Sequence, residues 1–207
     1  LPMTIVRPSI VSASWQYPMP GWIDSEAAFT GFVTLIGAGL LKVVDGDPQS
    51  TLDIIPCDVV AQRAIDSAFG LIHATSSLPI VYAAAGAVHS AKIGEIQQWI
   101  TDYFSAHPQA RPAGLTYLAP RVANPRYWDF QYWRTHTLPM NLAQRWFKLT
   151  GQAKAAKPIA RLQKILRQVN NIFPYFTSHR FDFVASTPVL PAHFNIKDYI
   201  AIASAGA

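Results

Sequence analysis

The sequence predicts an α/β protein: the closing half of a doubly wound sheet, followed by a mostly helical region. Three observations carry this. A short apolar, β-branched run at residues 3–6 stops at Arg7-Pro8. Strand-like and helix-like segments then alternate up to residue 107, an order that builds a parallel sheet with helices on its faces. A Pro-rich stretch at 110–125 breaks that order, and segments of helical period follow it.

Taken in order, residues 3–6 suit a strand buried on both faces. Pro8 ends it by removing a backbone donor, and residues 9–14 make a small-residue turn before Trp15. Residues 24–44 read as helical or loop-rich. Residues 52–55 are a short strand, with Asp58 as the N-cap of a helix over 59–69. Residues 80–83 are a second buried strand. Ser90 caps a helix over 91–106 that puts Ile93, Ile96, Trp99, Ile100, Tyr103 and Phe104 on one face. Pro108 ends that helix, and the division falls here: 1–107 as the sheet domain, 108–207 as the helical region. Beyond it come an aromatic cluster (Tyr127, Trp128, Phe130, Tyr132, Trp133), a helix over 141–149 ended by Gly151, and a helix from Pro158 to about residue 173.

The 207 residues can bury a core and hold one domain or one and a half. Half are hydrophobic and 14% charged, a balance that suits a greasy pocket or a membrane-facing surface. A single Cys excludes an intrachain disulfide and fits a reducing, cytoplasmic setting. No signal-peptide pattern opens the sequence. The longest apolar stretch, 29–44, is interrupted by Gly31, Gly37, Gly39 and Lys42. It falls short of the about 20 residues needed to span a bilayer. Charge is divided: residues 1–107 hold four Lys/Arg and nine Asp/Glu, a net of −5, and residues 108–207 hold thirteen and three, a net of +10. The second region is expected to meet an anionic partner.

The opening segment carries the most specific signal. Leu1-Pro2-x-Thr4-Ile5-Val6-Arg7-Pro8-Ser9-Ile10-Val11, then Trp15, Pro18 and Pro20-Gly21-Trp22-Ile23-Asp24, resembles the fatty acyl-CoA reductase family. Three later segments agree in collinear order: the Gly-rich apolar stretch 31–41, Asp53-Ile-Ile-Pro-Cys-Asp58, and Tyr175-Phe176-Thr177-Ser178 with Phe181-Asp182-Phe183. Cys57 stands where Val is usual and Phe181 where Trp is usual. The resemblance implies an extended short-chain dehydrogenase of Rossmann type that reduces long-chain acyl thioesters with NADPH to fatty aldehyde or fatty alcohol. Its substrate would be a long-chain acyl-CoA or an acyl carrier protein. The family's chemistry uses a Gly-rich phosphate loop and a Tyr-x-x-x-Lys pair, and neither occurs in this sequence. The sequence also starts inside a strand pattern. It is therefore expected to be the C-terminal part of a larger enzyme, to need an upstream half, and to be inactive alone. Two alternatives stay open: another extended short-chain dehydrogenase (a thioester reductase domain or a nucleotide-sugar epimerase), or a non-enzymatic module that binds lipid or a membrane surface.

Candidate sites follow. Ligands of open α/β sheets sit at the carboxyl ends of the strands, so Pro8, Ser9, Ile10 and Val11 are expected to line the cofactor crevice on the nicotinamide side. Trp15, Met19, Trp22, Phe29, Phe32 and Leu35 form an apolar set beside it, readable as core packing or as the wall of a long acyl pocket. Lys154, Lys157, Arg161, Lys164 and Arg167 recur three or four residues apart on one helix face, readable as a solvated face or as a site for coenzyme A phosphates, an acidic carrier protein or anionic lipid, with peripheral membrane contact. The aromatics cluster apart from these cations, which argues against nucleic acid. The six His are scattered without metal-ligand spacing, so no metal is expected. Asp53 and Asp58 read as turn or capping carboxylates, or as acid–base groups. No Gly-x-Ser-x-Gly elbow is present, and Cys57 reads as a buried small hydrophobe.

Overall fold

A computed structural model of the chain describes residues 3–25, 28–70, 79–107, 116–179, 181, 183 and 189–207. The expected division at 107/108 falls on residues outside that set.

The α/β architecture holds. Strand β1 (Ile5–Pro8) runs almost directly into β2 (Ile10–Ser12), and the chain changes partner between them. β1 pairs in parallel with β6 (Ile80–Ala83), whereas β2 pairs in parallel with β5 (Ile54–Pro56). Successive strand residues aim their backbone groups to opposite sides. Thus the Ser9 N–H goes to the Ala83 carbonyl and the Ile10 N–H to the Asp53 carbonyl. A third parallel pair joins β3 (Val43–Asp45) to β8 (Tyr117–Ala119). A short antiparallel pair joins β4 (Thr51–Leu52) to β7 (Ala91–Lys92).

Three helices flank these strands: α1 (Ala28–Gly37), α2 (Cys57–Gly70) and α3 (Ile93–Ala106). The core lies among α1, α3 and the strands, with Val33, Ile36, Ile54, Ile96 and Ile100 fully buried. α1 approaches α3 so closely that a Cβ on Gly37 would lie 2.4 Å from the Phe104 ring. The last helix, α8 (Ile196–Ala205), returns to this core. Its Tyr199 and Ile200 are buried there, and the Tyr199 hydroxyl donates to the Ala13 carbonyl at 2.6 Å. Asn195 caps it, accepting from the Lys197 and Asp198 amides. The apolar spacing at 196, 199, 200 and 203 behind an Asn is the signal that reading the sequence passed over.

The region after 116 is mostly helical. α4 (Pro125–Tyr132), a π-helical turn (Trp133–Thr137) and α5 (Leu138–Leu149) follow without interruption. α6 (Ala153–Ile172) folds back on α5, and α7 (Pro174–Ser178) follows. The extra residue of the π turn turns His136 inward, where its Nε2 faces the Lys42 N–H at 3.0 Å. Tyr132 stacks between His136 and Trp128. Burial holds the His136 pKa down to about 4, so the ring is a neutral acceptor.

Several local expectations are corrected. Residues 3–6 and 80–83 are not strands buried on both faces, since Met3 is 63% and Ile80 46% exposed with Ile5 and Tyr82 exposed beside them, and residues 9–14 are not all turn, since Ile10–Ser12 form β2. β1 has a pairing partner, but among the described residues no layer covers its outer face. Ser90 does not cap α3. Its hydroxyl donates to the Gly86 carbonyl, and the Lys92 amide instead bonds the Glu95 carboxylate at the helix start. The helix expected from Pro158 begins at Ala153, with Pro158 inside it. Pro158 is its sixth residue, past the first turn, so the helix forgoes the one bond that this position would donate to the Lys154 carbonyl. The helix expected over 141–149 is the end of a longer one.

Two outcomes follow. Gly37→Ala should lower stability by roughly 1–3 kcal/mol, the cost of overpacking, read as a lower urea midpoint at unchanged slope. His136 has a folded pKa below its unfolded value of 6.5. The unfolded chain therefore binds the extra proton, and stability is full above pH 6.5 and falls as pH drops toward 4. The loss should reach roughly 3 kcal/mol at 1.36 kcal/mol per unit, and the fall should be shallower in His136→Gln than in wild type.

Candidate functional site

The site is assembled by two carboxylates. Asp53 follows β4, is 2% exposed, and serves as a hub. Its Oδ1 accepts from the Ser9 hydroxyl at 2.5 Å and the Ala85 N–H at 2.8 Å, and its Oδ2 accepts from the Gly86 N–H at 2.7 Å. Its carbonyl receives the Ile10 N–H. One residue thereby fixes the junction of β1 and β2 and the turn after β6. Asp58, in the first turn of α2, does not cap its own helix. Its carboxylate accepts the N–H groups of Trp15, Gln16 and Tyr17 at 3.0, 2.8 and 3.0 Å. The segment that leaves β2 is thus held at both ends. Each carboxylate thus spends most of its acceptor capacity on holding backbone and neighbouring side chains in place.

Behind Ser9 opens a cavity of about 440 Å³. Pro8, Ser9, Ile10 and Val11 form one wall; Phe29 and Phe32 of α1 form a second; Phe173, Phe176, Phe181 and Phe183 close it. This size and mostly apolar lining are those of a small-molecule site. α7 is locked in place beside it. The Thr177 hydroxyl donates to the Asp45 carbonyl at 2.6 Å, and the Asp47 N–H donates to the Thr177 carbonyl at 2.9 Å.

Of the expected acyl-wall residues, Phe29 and Phe32 are brought to the residue 8–11 segment. Leu35 packs on the core from its edge. Trp15 and Trp22 line a separate, more open cleft of about 860 Å³ with Tyr17, Cys57, Asp58 and Arg63. Met19 is exposed at the tip of the turn between them, held there by the Ser14 hydroxyl on its carbonyl. Gly21 closes the turn at φ +80°, a conformation that favours Gly. Phe173, Phe176, Phe181 and Phe183 were not expected at the site. For Phe176, Phe181 and Phe183 the signal was their membership of the 175–183 motif, which follows the residue 8–11 segment by more than 160 residues and so gives no local clue to the meeting; Phe173 had no such signal.

Burial, with the Asp58 carboxylate beside it, pushes the Cys57 thiol up. It therefore holds its proton at neutral pH, as a hydrophobe does. Among the described residues, no three of His, Cys, Asp and Glu gather as a metal site. No described helix is long and apolar enough to cross a membrane. All five expected cations lie on α6 and are exposed. Arg167 departs from the other four: it faces Tyr132, and its charge opposes the burial that raises that hydroxyl.

A family model described as Male sterility protein, an NAD-binding family, matches residues 1–64. Fatty acyl-CoA reductase 1 of Rattus norvegicus is 29% identical over 183 residues, covering 86% of this chain and 34% of that protein. Fatty acyl-CoA reductase 2 of Homo sapiens is 25% identical over 206 residues, covering 96% and 38%. The resemblance carried by the opening motif thus extends over most of the chain, and the chain spans about a third of the length of the curated relatives it matches. Among solved structures, a UDP-N-acetylglucosamine 4-epimerase from Methanobrevibacter ruminantium aligns at a TM-score of 0.40 and 21% identity, over 58% of this chain and 34% of that one.

The Asp53 hub makes a direct prediction. Asp53→Ala strands the Ser9 hydroxyl and two amides, and should cost roughly 2–4 kcal/mol, since each unmet buried donor costs about 1–3. Asp53→Asn keeps acceptor capacity on one atom and should cost less. Urea denaturation of both variants measures the order, and equal losses would refute the hub.

Proposed function

We propose that this chain, which resembles the fatty acyl-CoA reductases over most of its length, is the C-terminal part of an enzyme that reduces long-chain fatty acyl thioesters. NADPH is the reductant, and a fatty aldehyde or fatty alcohol is the product. The match to an NAD-binding family supports a nicotinamide cofactor. The observation that carries the reading is the cavity that joins the strand-end segment 8–11 to the rings of α1 and the 173–183 segment.

The cavity's residues fit the nicotinamide end of such a cofactor and an aliphatic chain. Its walls are apolar, and its few polar groups (Ser9, Thr51, Asp53, Thr177) are largely engaged within the protein. When bound, the cofactor supplies a hydride. Pro8, Ser9, Ile10 and Val11 present backbone to the nicotinamide, at the strand ends where open sheets bind ligands. Phe29, Phe32 and Phe176 seat the acyl chain and keep water from the reacting carbon. The phosphate loop and the proton-donating Tyr with its Lys belong to an upstream half. The exposed apolar residues Ile5 of β1, Ile80 and Tyr82 of β6, and Met3 just before β1 give that half a surface to cover. Within this arrangement residues 1–107 complete the cofactor domain and residues 108–207 form the basic helical region. The acyl group arrives on coenzyme A or a carrier protein. The single, unpaired Cys57 suits a cytoplasmic setting.

The test follows loss of nicotinamide absorbance with NADPH and palmitoyl-CoA. The full-length enzyme should turn over and this 207-residue chain should not. Turnover by the chain alone, or none by the full-length enzyme with any long acyl thioester, would overturn the reading. Val11→Trp, at a position 38% exposed, should raise the Michaelis constant for NADPH by roughly ten-fold or more, about 1.4 kcal/mol, without changing the melting temperature. An unchanged constant would remove residues 8–11 from the cofactor.

A further inference from the structure

The α5–α6 hairpin carries a surface that neither the core nor the cavity uses. Between Asp129 and Asp182 the chain holds nine Lys/Arg and no Asp or Glu. On α5, Ala143, Gln144 and Phe147 turn toward the rest of the protein. Gln144 and Asn141 hydrogen-bond Gln163 of α6, which sets the register of the two helices. The other side of α5 presents Leu142, Trp146 and Leu149 to solvent, with Trp146 66% and Leu149 86% exposed. Their spacing of four and three puts them on one stripe. Arg145 and Lys148, both exposed, border it. Single exposed apolar residues are ordinary, but a stripe of three with a Trp, edged by cations, marks an interaction site.

We propose that this face docks on an anionic lipid bilayer, with α5 lying in the interface and Lys154, Lys157, Arg161 and Lys164 of α6 reaching headgroup phosphates. Trp and Leu on one side with Lys and Arg around them is the composition of an interfacial helix. Lys and Arg stems can run along the acyl boundary while their charges stay at the headgroups. Charge complementarity selects the occupant. The four α6 cations, from Lys154 to Lys164, span ten residue steps, about 15 Å of helix axis. That is too wide for one phosphate group of a soluble ligand and suited to a charged surface. The apolar stripe is also only three residues long. A stable protein partner needs about 800 Å² from each side, whereas a bilayer needs only shallow insertion. The inference is independent of the reductase reading, and its test reads no turnover.

The full-length protein is sedimented with phosphatidylcholine–phosphatidylserine vesicles and with pure phosphatidylcholine vesicles, at low and high salt. Binding should require phosphatidylserine and be released by salt, since the Debye length falls from about 10 Å at 0.1 M to about 3 Å at 1 M. Each cation removed should weaken it roughly five-fold, from about 1 kcal/mol per Lys or Arg near an anionic surface. Lys154→Gln with Lys157→Gln should therefore lose roughly 25-fold. Trp146→Ser with Leu149→Ser should also lose binding while keeping the wild-type melting temperature. The vesicle-induced blue shift of tryptophan emission should disappear in Trp146→Phe. Absence of phosphatidylserine-dependent binding, or binding unchanged in either double variant, overturns the proposal. So does a change of oligomeric state in Trp146→Ser with Leu149→Ser without vesicles, which would assign the stripe to a protein contact.

Discussion

Everything near the cavity depends on the buried Asp53 carboxylate. A carboxylate taken out of water must recover its hydration as hydrogen bonds. Asp53 recovers it from a hydroxyl on the β1–β2 junction and from two amides beyond β6. These three segments are far apart in sequence and adjacent in space. Charge-assisted bonds to backbone amides are short and directional, so they fix the strand ends relative to one another. Asp58 repeats the device one turn later, with three successive amides of the segment leaving β2. The two carboxylates shape the site by positioning backbone.

The junction they hold has its own consequence. At Ser9 the chain stops pairing with β6 and starts pairing with β5. One strand therefore serves two neighbours, and its carboxyl end emerges between them, as a ligand-binding strand of an open sheet does. The rings that close the cavity come from both ends of the chain. α1 brings Phe29 and Phe32, while the 173–183 segment is carried in by Thr177, whose hydroxyl and carbonyl clamp both sides of the turn after β3. The pairing of β3 with β8 and the burial of α8 against α1 and α3 tie the later half to the earlier one. Helices after residue 116 are thus part of what builds the site, as well as a basic appendage to it.

Charge and packing are separated in that later half. α6 buries Ala156 and Leu166 while Lys154, Lys157, Arg161 and Lys164 stay in solvent. The π turn before α5 diverts one residue, His136, into the interior, where burial keeps it neutral and lets it accept the Lys42 amide. The helical period resumes at α5 with its apolar stripe outward. A helix that buried that stripe would need a different register at the turn.

Composition and periodicity alone determined much of this protein. The alternation of strands and helices to residue 107, the amphipathic faces of α3 and α6, the split of charge and the helical second half were all legible, because each is a local pattern with a fixed period. The opening motif carried the family resemblance and singled out residues 8–11, which the structure places at the junction of β1 and β2 and on one wall of a cavity. Only the tertiary structure decided the rest. Ser90 and Asp58 look like helix caps in sequence, yet the Ser90 hydroxyl donates to the Gly86 carbonyl four residues back, and the Asp58 carboxylate accepts three successive amides from a segment more than 40 residues away. β2, β3, β7, β8 and α8 were not legible, being short strands with no alternation of their own and a helix whose stability comes from docking on the core. The acyl-wall set divided between two cavities for the same reason. Apolarity says that Trp15 and Phe32 leave water, but which surface each meets is fixed by long-range contacts that no local pattern encodes.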